Sequence, residues 1–192
     1  MSIPSPNGAA VQALSSRRDL SAHCLANQGL TPWLLTVAEC TPSASFGRAP
    51  RARMTDFIIL GTDTDAGKTT FAALWLCGNT TAYAYWKPVE TGPSDTAALQ
   101  QVFPDLVTAP PAQRFEDPVA PSLAARRQNA TVWSARDIAA ARPHVPGKSL
   151  VIESFGGPFS PLNDNELQIE LIRRLNLPSV LVTSSKLGAI GR

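Results

Sequence analysis

The sequence predicts an α/β fold, a doubly wound parallel sheet with helices in layers on both of its faces. Three observations carry this expectation. Apolar runs of four to six residues alternate with segments of helical spacing; the first run enters a helix through a loop bounded by glycines; and each run ends beside residues suited to phosphate chemistry. Continuous apolar strands belong to parallel sheets covered on both faces, and such sheets bind ligands at the carboxyl ends of their strands.

The elements follow in order from Met54. Phe57 to Leu60 is a buried strand, and Thr69 to Leu76 is the crossover helix, closed by Gly78-Asn79, residues that commonly follow a helix C-terminus. Tyr83 to Trp86 is the second strand, ended by Lys87-Pro88. Ser94 or Asp95 caps a helix that runs to about Val102 and is stopped by Pro104. Pro110-Pro111 and the segment from Pro118 to Pro121 mark an irregular connection. Short helices are expected over Ser122 to Arg127 and Ser134 to Ala141. Ser149 to Glu153 is the third strand and ends on an acid. Asp164 to Leu175 places Leu167, Leu171, Ile172 and Leu175 at helical spacing, and Pro178 to Thr183 is the last strand.

The loop after the first strand, Gly61-Thr62-Asp63-Thr64-Asp65-Ala66-Gly67-Lys68-Thr69-Thr70, has the chemistry of a phosphate loop. Successive backbone N–H groups converge on phosphate oxygens, the lysine reaches the terminal phosphates, and the hydroxyl that follows suits a Mg²⁺ ion. Its spacing departs from the general pattern. Five residues, not four, separate Gly61 from Gly67, and Thr62 stands where a glycine is expected. The P-loop NTPase type of sheet is the expected architecture. If the strands end near Gly61, Lys87, Glu153 and Thr183, one rim collects the loop, Lys87 to Gly92, Glu153 to Gly157 and Ser184 to Gly188. Lys87 then adds a second positive charge beside Lys68. Glu153, Asp95 and Thr69 supply hard oxygens for a Mg²⁺ that bridges phosphates.

Composition bounds the remaining possibilities. A chain of 192 residues with 44% hydrophobic and 17% charged residues suits one globular domain, and a net charge of +2 gives no case for nucleic acid or a membrane surface as partner. Cys24, Cys40 and Cys77 have neither paired nor metal-like spacing and read as reduced thiols, and His23 and His144 are isolated. No apolar run approaches the ~20 residues of a membrane span. Residues 1–53 differ from the rest, being rich in Ser, Pro, Ala and Arg with Asp19 and Glu39 as their acids. Three readings of this extension stand: a transit peptide, a disordered segment, or sequence upstream of a start at Met54. The expected location is cytoplasmic, or organellar if the extension is a transit peptide.

Taken together, GTDTDAGKTT, YWKPVETG, SDTAALQ, FEDPVAPSLAA, VIESFGG, SPLNDNE and LPSVLVTSSKLGAI resemble, in order and spacing, the motifs of the dethiobiotin synthetases. The resemblance covers residues 54 to 190, and the five-residue gap after Gly61 is part of that family's pattern. It implies an ATP- and Mg²⁺-dependent ligase of biotin biosynthesis, a homodimer that joins CO2 to 7,8-diaminopelargonate and closes the ureido ring of dethiobiotin. By resemblance, Asp65, Ala66, Gly67, Lys68, Thr69 and Thr70 line the phosphates. Asp95, Glu153, Ser154, Phe155 and Gly156 complete the nucleotide site. Thr69, Asp95 and Glu153 hold the metal; Lys68 and Lys87 are catalytic, Lys87 at the carbamate; Thr91, Leu187 and Gly188 meet the diamine.

The chain also departs from that pattern. Asp65 stands where relatives more often have a glutamate, and Ser154-Phe155 replaces a small Gly-Ala pair, so that an aromatic ring is expected to crowd the nucleotide or the substrate. Gly191-Arg192 ends the sequence where the family carries an asparagine and a further helix. About 40 residues are expected to be missing, given the usual size of such a domain, and with them the last strands of the sheet. Two other functions remain open at this point. One is a partition ATPase of the MinD and ParA type, although Asp63 occupies the place of that group's additional lysine. The other is a non-catalytic remnant that acts as a binding module.

Overall fold

The computed structural model describes residues 54–183. Residues 1–53, with the three readings given for them, and residues 184–192, with Leu187, Gly188 and Gly191, lie outside the described residues.

Five parallel strands form the main sheet in the order β4-β2-β6-β1-β7: β1 (Phe57–Gly61), β2 (Tyr83–Trp86), β4 (Thr108–Ala109), β6 (Ser149–Glu153) and β7 (Ser179–Val182). Two shorter strands, β3 (Val89–Thr91) and β5 (Gln113–Phe115), pair in parallel as a separate ribbon. Five helices complete the described fold: α1 (Lys68–Cys77), α2 (Asp95–Val102), α3 (Pro121–Arg127), α4 (Ala135–Ala140) and α5 (Gln168–Leu175).

The period-2 alternation of side chains along a strand divides the interior into two cores. Ile58, Leu60, Ala84, Trp86, Leu150 and Ile152 face one way and pack with Ala124 and Ala125 of α3, Ala135 and Ile138 of α4, and Leu171 and Leu175 of α5. Phe57, Ile59, Tyr83, Tyr85 and Val151 face the other way, against Ala72, Ala73 and Leu76 of α1 and Leu99 of α2. The three expected layers follow from this parity. Ile58, Ile59, Leu76, Leu150 and Ile152 are all at most 2% exposed, and burial of each such side chain contributes about 1.5–3 kcal/mol. The sheet is therefore held from both sides. Among the described residues no helix is long and apolar enough to cross a membrane.

Most expected elements are present with their caps. Gly78 follows α1 and donates its N–H to the Leu76 carbonyl, while the Ser94 hydroxyl accepts from the Ala97 N–H at 3.1 Å to start α2. Pro121 takes the first turn of α3, where a missing N–H costs nothing, and the Ser134 hydroxyl accepts from the Asp137 N–H to start α4.

The helix expected from Asp164 begins only at Gln168. Residues 163–166 are diverted into a turn in which Asn163 Oδ1 accepts from the N–H groups of Asn165 and Glu166, and Pro161 bridges to Leu167 beyond it. An asparagine side chain competes here with the helical ladder, which periodicity alone does not register. β3, β4 and β5 are also additions, each too short to display alternation.

The same turn secures α4. Glu166 accepts the Ala135 N–H at 2.8 Å and the Asn163 amide at 2.8 Å. These two bonds, the backbone one foremost, hold its carboxyl below the usual glutamate range. A group whose pKa is depressed by folding contributes stability above its unfolded pKa and loses it as pH falls through the folded one. Glu166→Ala should lower unfolding stability near neutral pH by about 1–2 kcal/mol. In urea titrations the gap from wild type should close as pH is lowered from about 7 towards about 2, and a gap that stays constant over that range would refute the assignment.

Candidate active site

The path of the chain creates a crevice at one end of the sheet. From β1 the chain crosses over β6 to reach β2, whereas from β6 it crosses over β1 to reach β7, so the direction of winding reverses between β1 and β6. Ligands in such sheets bind outside the carboxyl ends of the strands at that switch point. Three chain segments leave the sheet there: the loop after β1, Lys87 after β2, and Glu153 at the end of β6.

The loop after β1 is wrapped around its own lysine. Gly67 has φ 95°, in the left-handed region where a side chain is strained, and turns the chain into α1. Lys68 is 4% exposed, and its ammonium donates to the carbonyls of Asp63 at 2.9 Å and Thr64 at 3.1 Å. Its stem lies over the strand end, and a Cβ on Gly61 would sit 2.9 Å from Lys68 Nζ and from the Asp63 carbonyl oxygen. The displaced glycine of the five-residue spacing therefore has a steric reason: it makes room for the lysine. The Thr62 N–H is bonded to Val182 of β7, and the Thr64 N–H to the Asp63 carboxylate at 2.7 Å. Asp65 is exposed, and Ala66, Gly67, Thr69 and Thr70 are partly so.

Beside the loop lies a cluster of charge. Glu153 is 1% exposed; its Oε1 accepts from the Thr69 hydroxyl at 2.8 Å and the Lys87 ammonium at 3.2 Å, and its Oε2 accepts from the Tyr85 hydroxyl at 2.8 Å. Lys87, also buried, is ion-paired with Asp95 at the start of α2. Burial pushes the Lys87 ammonium down, but Glu153 and Asp95 together outweigh it, and the pKa lies above the usual lysine value. Lys68 is held below that value by burial, Glu153 opposing the shift and Lys87 adding to it. Burial, then the Glu153 charge, raises Tyr85 well above an ordinary phenol, so it is a neutral donor.

The neighbouring segments set these groups in place. Glu90, in β3 and 1% exposed, accepts from the Ser94 hydroxyl, the Thr96 N–H and hydroxyl, and Arg114 at 3.3 Å. It clamps the first turn of α2 and so orients Asp95. Thr91 follows it in β3, partly exposed. Phe155, expected to crowd a ligand, is instead turned to the interior: the residue is 8% exposed and belongs to the core that also holds Trp86 and Leu162. Gly156 at φ 43° turns the chain there, and a Cβ on it would lie 2.4 Å from Ser160 Oγ. Ser154 Oγ is buried and without a hydrogen-bond partner among the described residues.

Sequence reasoning thus nominated Lys68, Thr69, Lys87, Asp95 and Glu153, and the fold brings all five together. It did not single out Tyr85, which fell within the strand Tyr83 to Trp86, or Glu90, which fell within the rim segment Lys87 to Gly92. The strand parity that puts Tyr85 and Glu153 on one face was a signal available for the first.

The oxygen set fits a divalent cation. Among the described residues no group of three or more His, Cys, Asp or Glu side chains forms a metal cage. Mg²⁺, however, takes only one or two carboxylates together with substrate phosphates and water. Asp95, Glu153 and the Thr69 hydroxyl offer that, and the two carboxylates already hold one cation, the Lys87 ammonium.

Residues 55–192 match the family model described as AAA domain. The chain belongs to that family. Within it, the chain is 37% identical over 140 residues to the ATP-dependent dethiobiotin synthetase BioD of Paramagnetospirillum magneticum, an alignment covering 71% of this chain and 65% of the relative. The synthetase of the same name from Gloeobacter violaceus is 38% identical over 149 residues, with 72% and 63% covered. That of Rhodopseudomonas palustris strain BisB18 is 40% identical over 140 residues, with 69% and 63% covered. The resemblance drawn from the motifs is upheld. The chain spans less than two thirds of the length of these relatives.

The cluster makes a prediction about folding. Removing one partner of a buried ion pair costs about 3 kcal/mol or more, because the other charge stays behind. Lys87→Met should therefore lower unfolding stability by about 3 kcal/mol, and adding Glu153→Gln should restore part of the loss. Chemical denaturation of both variants checks this; a fully stable Lys87→Met protein would contradict the pairing.

Proposed function

We propose that the chain carries out the dethiobiotin synthetase reaction, in which ATP, CO2 and 7,8-diaminopelargonate give dethiobiotin, ADP and phosphate. The observation that carries the reading is the convergence of Lys68, Thr69, Lys87, Asp95 and Glu153 on the ends of three adjacent strands in a chain related to enzymes of that name. A cytoplasmic homodimer is part of the same reading.

The chemistry sets an electrostatic problem. One amine of the substrate takes up CO2 as a carbamate, whose oxygen attacks the γ-phosphorus while the bond to ADP breaks. The second amine then attacks the carbonyl carbon of the mixed anhydride, and phosphate leaves as the ring closes. The first step brings two anions together. Two unit charges at 4 Å interact by about 1 kcal/mol in water and about 4 kcal/mol in a protein-like medium, so buried ammonium groups count for more than exposed ones.

Lys68 and the backbone N–H groups from Asp65 to Thr70 are assigned to the triphosphate, which they orient in line with the attacking oxygen. Lys87, kept charged by its two carboxylates, is assigned to the carbamate. Thr69, Asp95 and Glu153 would hold Mg²⁺, which when bound neutralises phosphate charge. Thr91, Leu187 and Gly188 are assigned to the diamine, and Ser154, Phe155 and Gly156 to the nucleotide, Phe155 by its backbone alone. A partition ATPase would instead hydrolyse ATP without any diamine, and no feature of the cluster favours it.

Calorimetry and a dethiobiotin assay on two variants test the assignment. Lys68→Ala should weaken ATP binding by at least about tenfold. Lys87→Gln should keep nucleotide affinity within about threefold of wild type and reduce dethiobiotin formation by about a hundredfold or more. A Lys87→Gln enzyme of normal turnover would sink the proposed role.

A further inference from the structure

Tyr85 is a fully buried tyrosine whose hydroxyl the proposed chemistry does not use. A phenylalanine would fill the same space in the α1 face of the sheet, so packing does not account for the oxygen. The hydroxyl has one hydrogen bond among the described residues, to Glu153 Oε2 at 2.8 Å. The register explains the contact: Tyr85 pairs with Val151, two residues before Glu153 on the same face of neighbouring strands.

The terminal torsion of a glutamate is broad and roughly two-fold, so an unrestrained carboxylate presents either oxygen in turn. Here Oε2 is fixed by Tyr85, and Oε1 alone meets Thr69 and Lys87. Building on the proposed synthetase reading, we propose that Tyr85 is a positioning residue: it pins the far oxygen of Glu153 so that the near one is presented to the cation site formed with Thr69 and Asp95. Outer partners of this kind commonly control affinity, since a ligand held in one orientation loses less freedom on binding.

The test uses the full chain and Mn²⁺ as probe. Binding of Mn²⁺ in the presence of ADP is followed by electron paramagnetic resonance, and folding by thermal melting. Tyr85→Phe should weaken Mn²⁺ binding about ten- to a hundredfold while ADP affinity without metal stays within about twofold. Because Tyr85 acts through Glu153, adding Tyr85→Phe to Glu153→Gln should cause no further loss. Unchanged Mn²⁺ affinity in Tyr85→Phe, or losses that multiply in the double variant, overturns the proposal.

A second measurement keeps the Tyr85 hydroxyl and does not depend on the folding of Tyr85→Phe. The chain has two tyrosines. With Tyr83→Phe and 3-fluorotyrosine incorporated, the single fluorine signal of Tyr85 should shift when Mg²⁺ and ADP are added, and an unmoved signal counts against the proposal. Wild-type protein that binds Mn²⁺ with ADP but forms no dethiobiotin would overturn the reaction and leave the Tyr85 result standing. Wild-type protein that takes up no Mn²⁺ with ADP would overturn the positioning role itself.

Discussion

Glu153 is a carboxylate buried at the end of a central strand, and the rest of the site is arranged around meeting its charge. An ion withdrawn from water costs several kcal/mol unless hydrogen bonds and an opposite charge replace what was lost. Three donors do so from three parts of the chain: Thr69 from the first turn of α1, Tyr85 from β2, and Lys87 from the residue after β2. Each must arrive in register, which fixes the alignment of β2 on β6 and the height of α1 over both. Sheet register and site geometry are thus one constraint.

The two lysines answer to different surroundings. Lys68 is held by carbonyl groups of its own loop, which are neutral acceptors, and burial depresses its pKa. An anion reaching the loop offers it a stronger partner than those carbonyls, so exchange favours the ligand. Lys87 already has two carboxylates and a raised pKa. For Lys87 to face an incoming anion it must give up part of an existing ion pair, and a weakly charged ligand would not compete. Loop and pair together favour a ligand carrying several negative charges.

How much of this was legible in the sequence depended on the range over which the signal acts. The four principal strands and the placement of α1 and α2 come from local periodicity, caps and glycines, and they stand in the structure with small shifts of boundary; the expected rim is described for the loop after β1, Lys87 to Gly92 and Glu153 to Gly157. The start of α5 was misplaced because Asn163 bonds its own backbone and overrides an apolar spacing that does reach Leu167. β3 and β5 were not legible because three residues hold one and a half periods of alternation. Phe155 read as an obstruction because it stands where relatives have a small residue, whereas in the fold it is buried in the core that also holds Trp86 and Leu162. Neither Tyr85 nor Glu90 was singled out, because the partner of Tyr85 is set by tertiary register and those of Glu90 by a turn whose path the sequence does not specify.

The chemistry of the crevice divides in the same way. The charged cluster is assembled at the ends of β1, β2 and β6, with β6 between the other two, together with the first turns of α1 and α2. Among the described residues its contacts are made within residues 61–153, so in the proposed assignment the groups that would meet phosphate and a divalent ion belong to this part of the fold. Discrimination of one acyl acceptor from another needs shape and hydrogen bonds beyond charge, because ammonium groups and carboxylates act on any suitably charged group at their distance. In the proposed assignment that discrimination begins at Thr91, on the ribbon beside Glu90, where a buried carboxylate fixes the backbone. The clamp that orients Asp95 therefore sits next to the first residue assigned to the diamine, and a shift in one would be felt by the other.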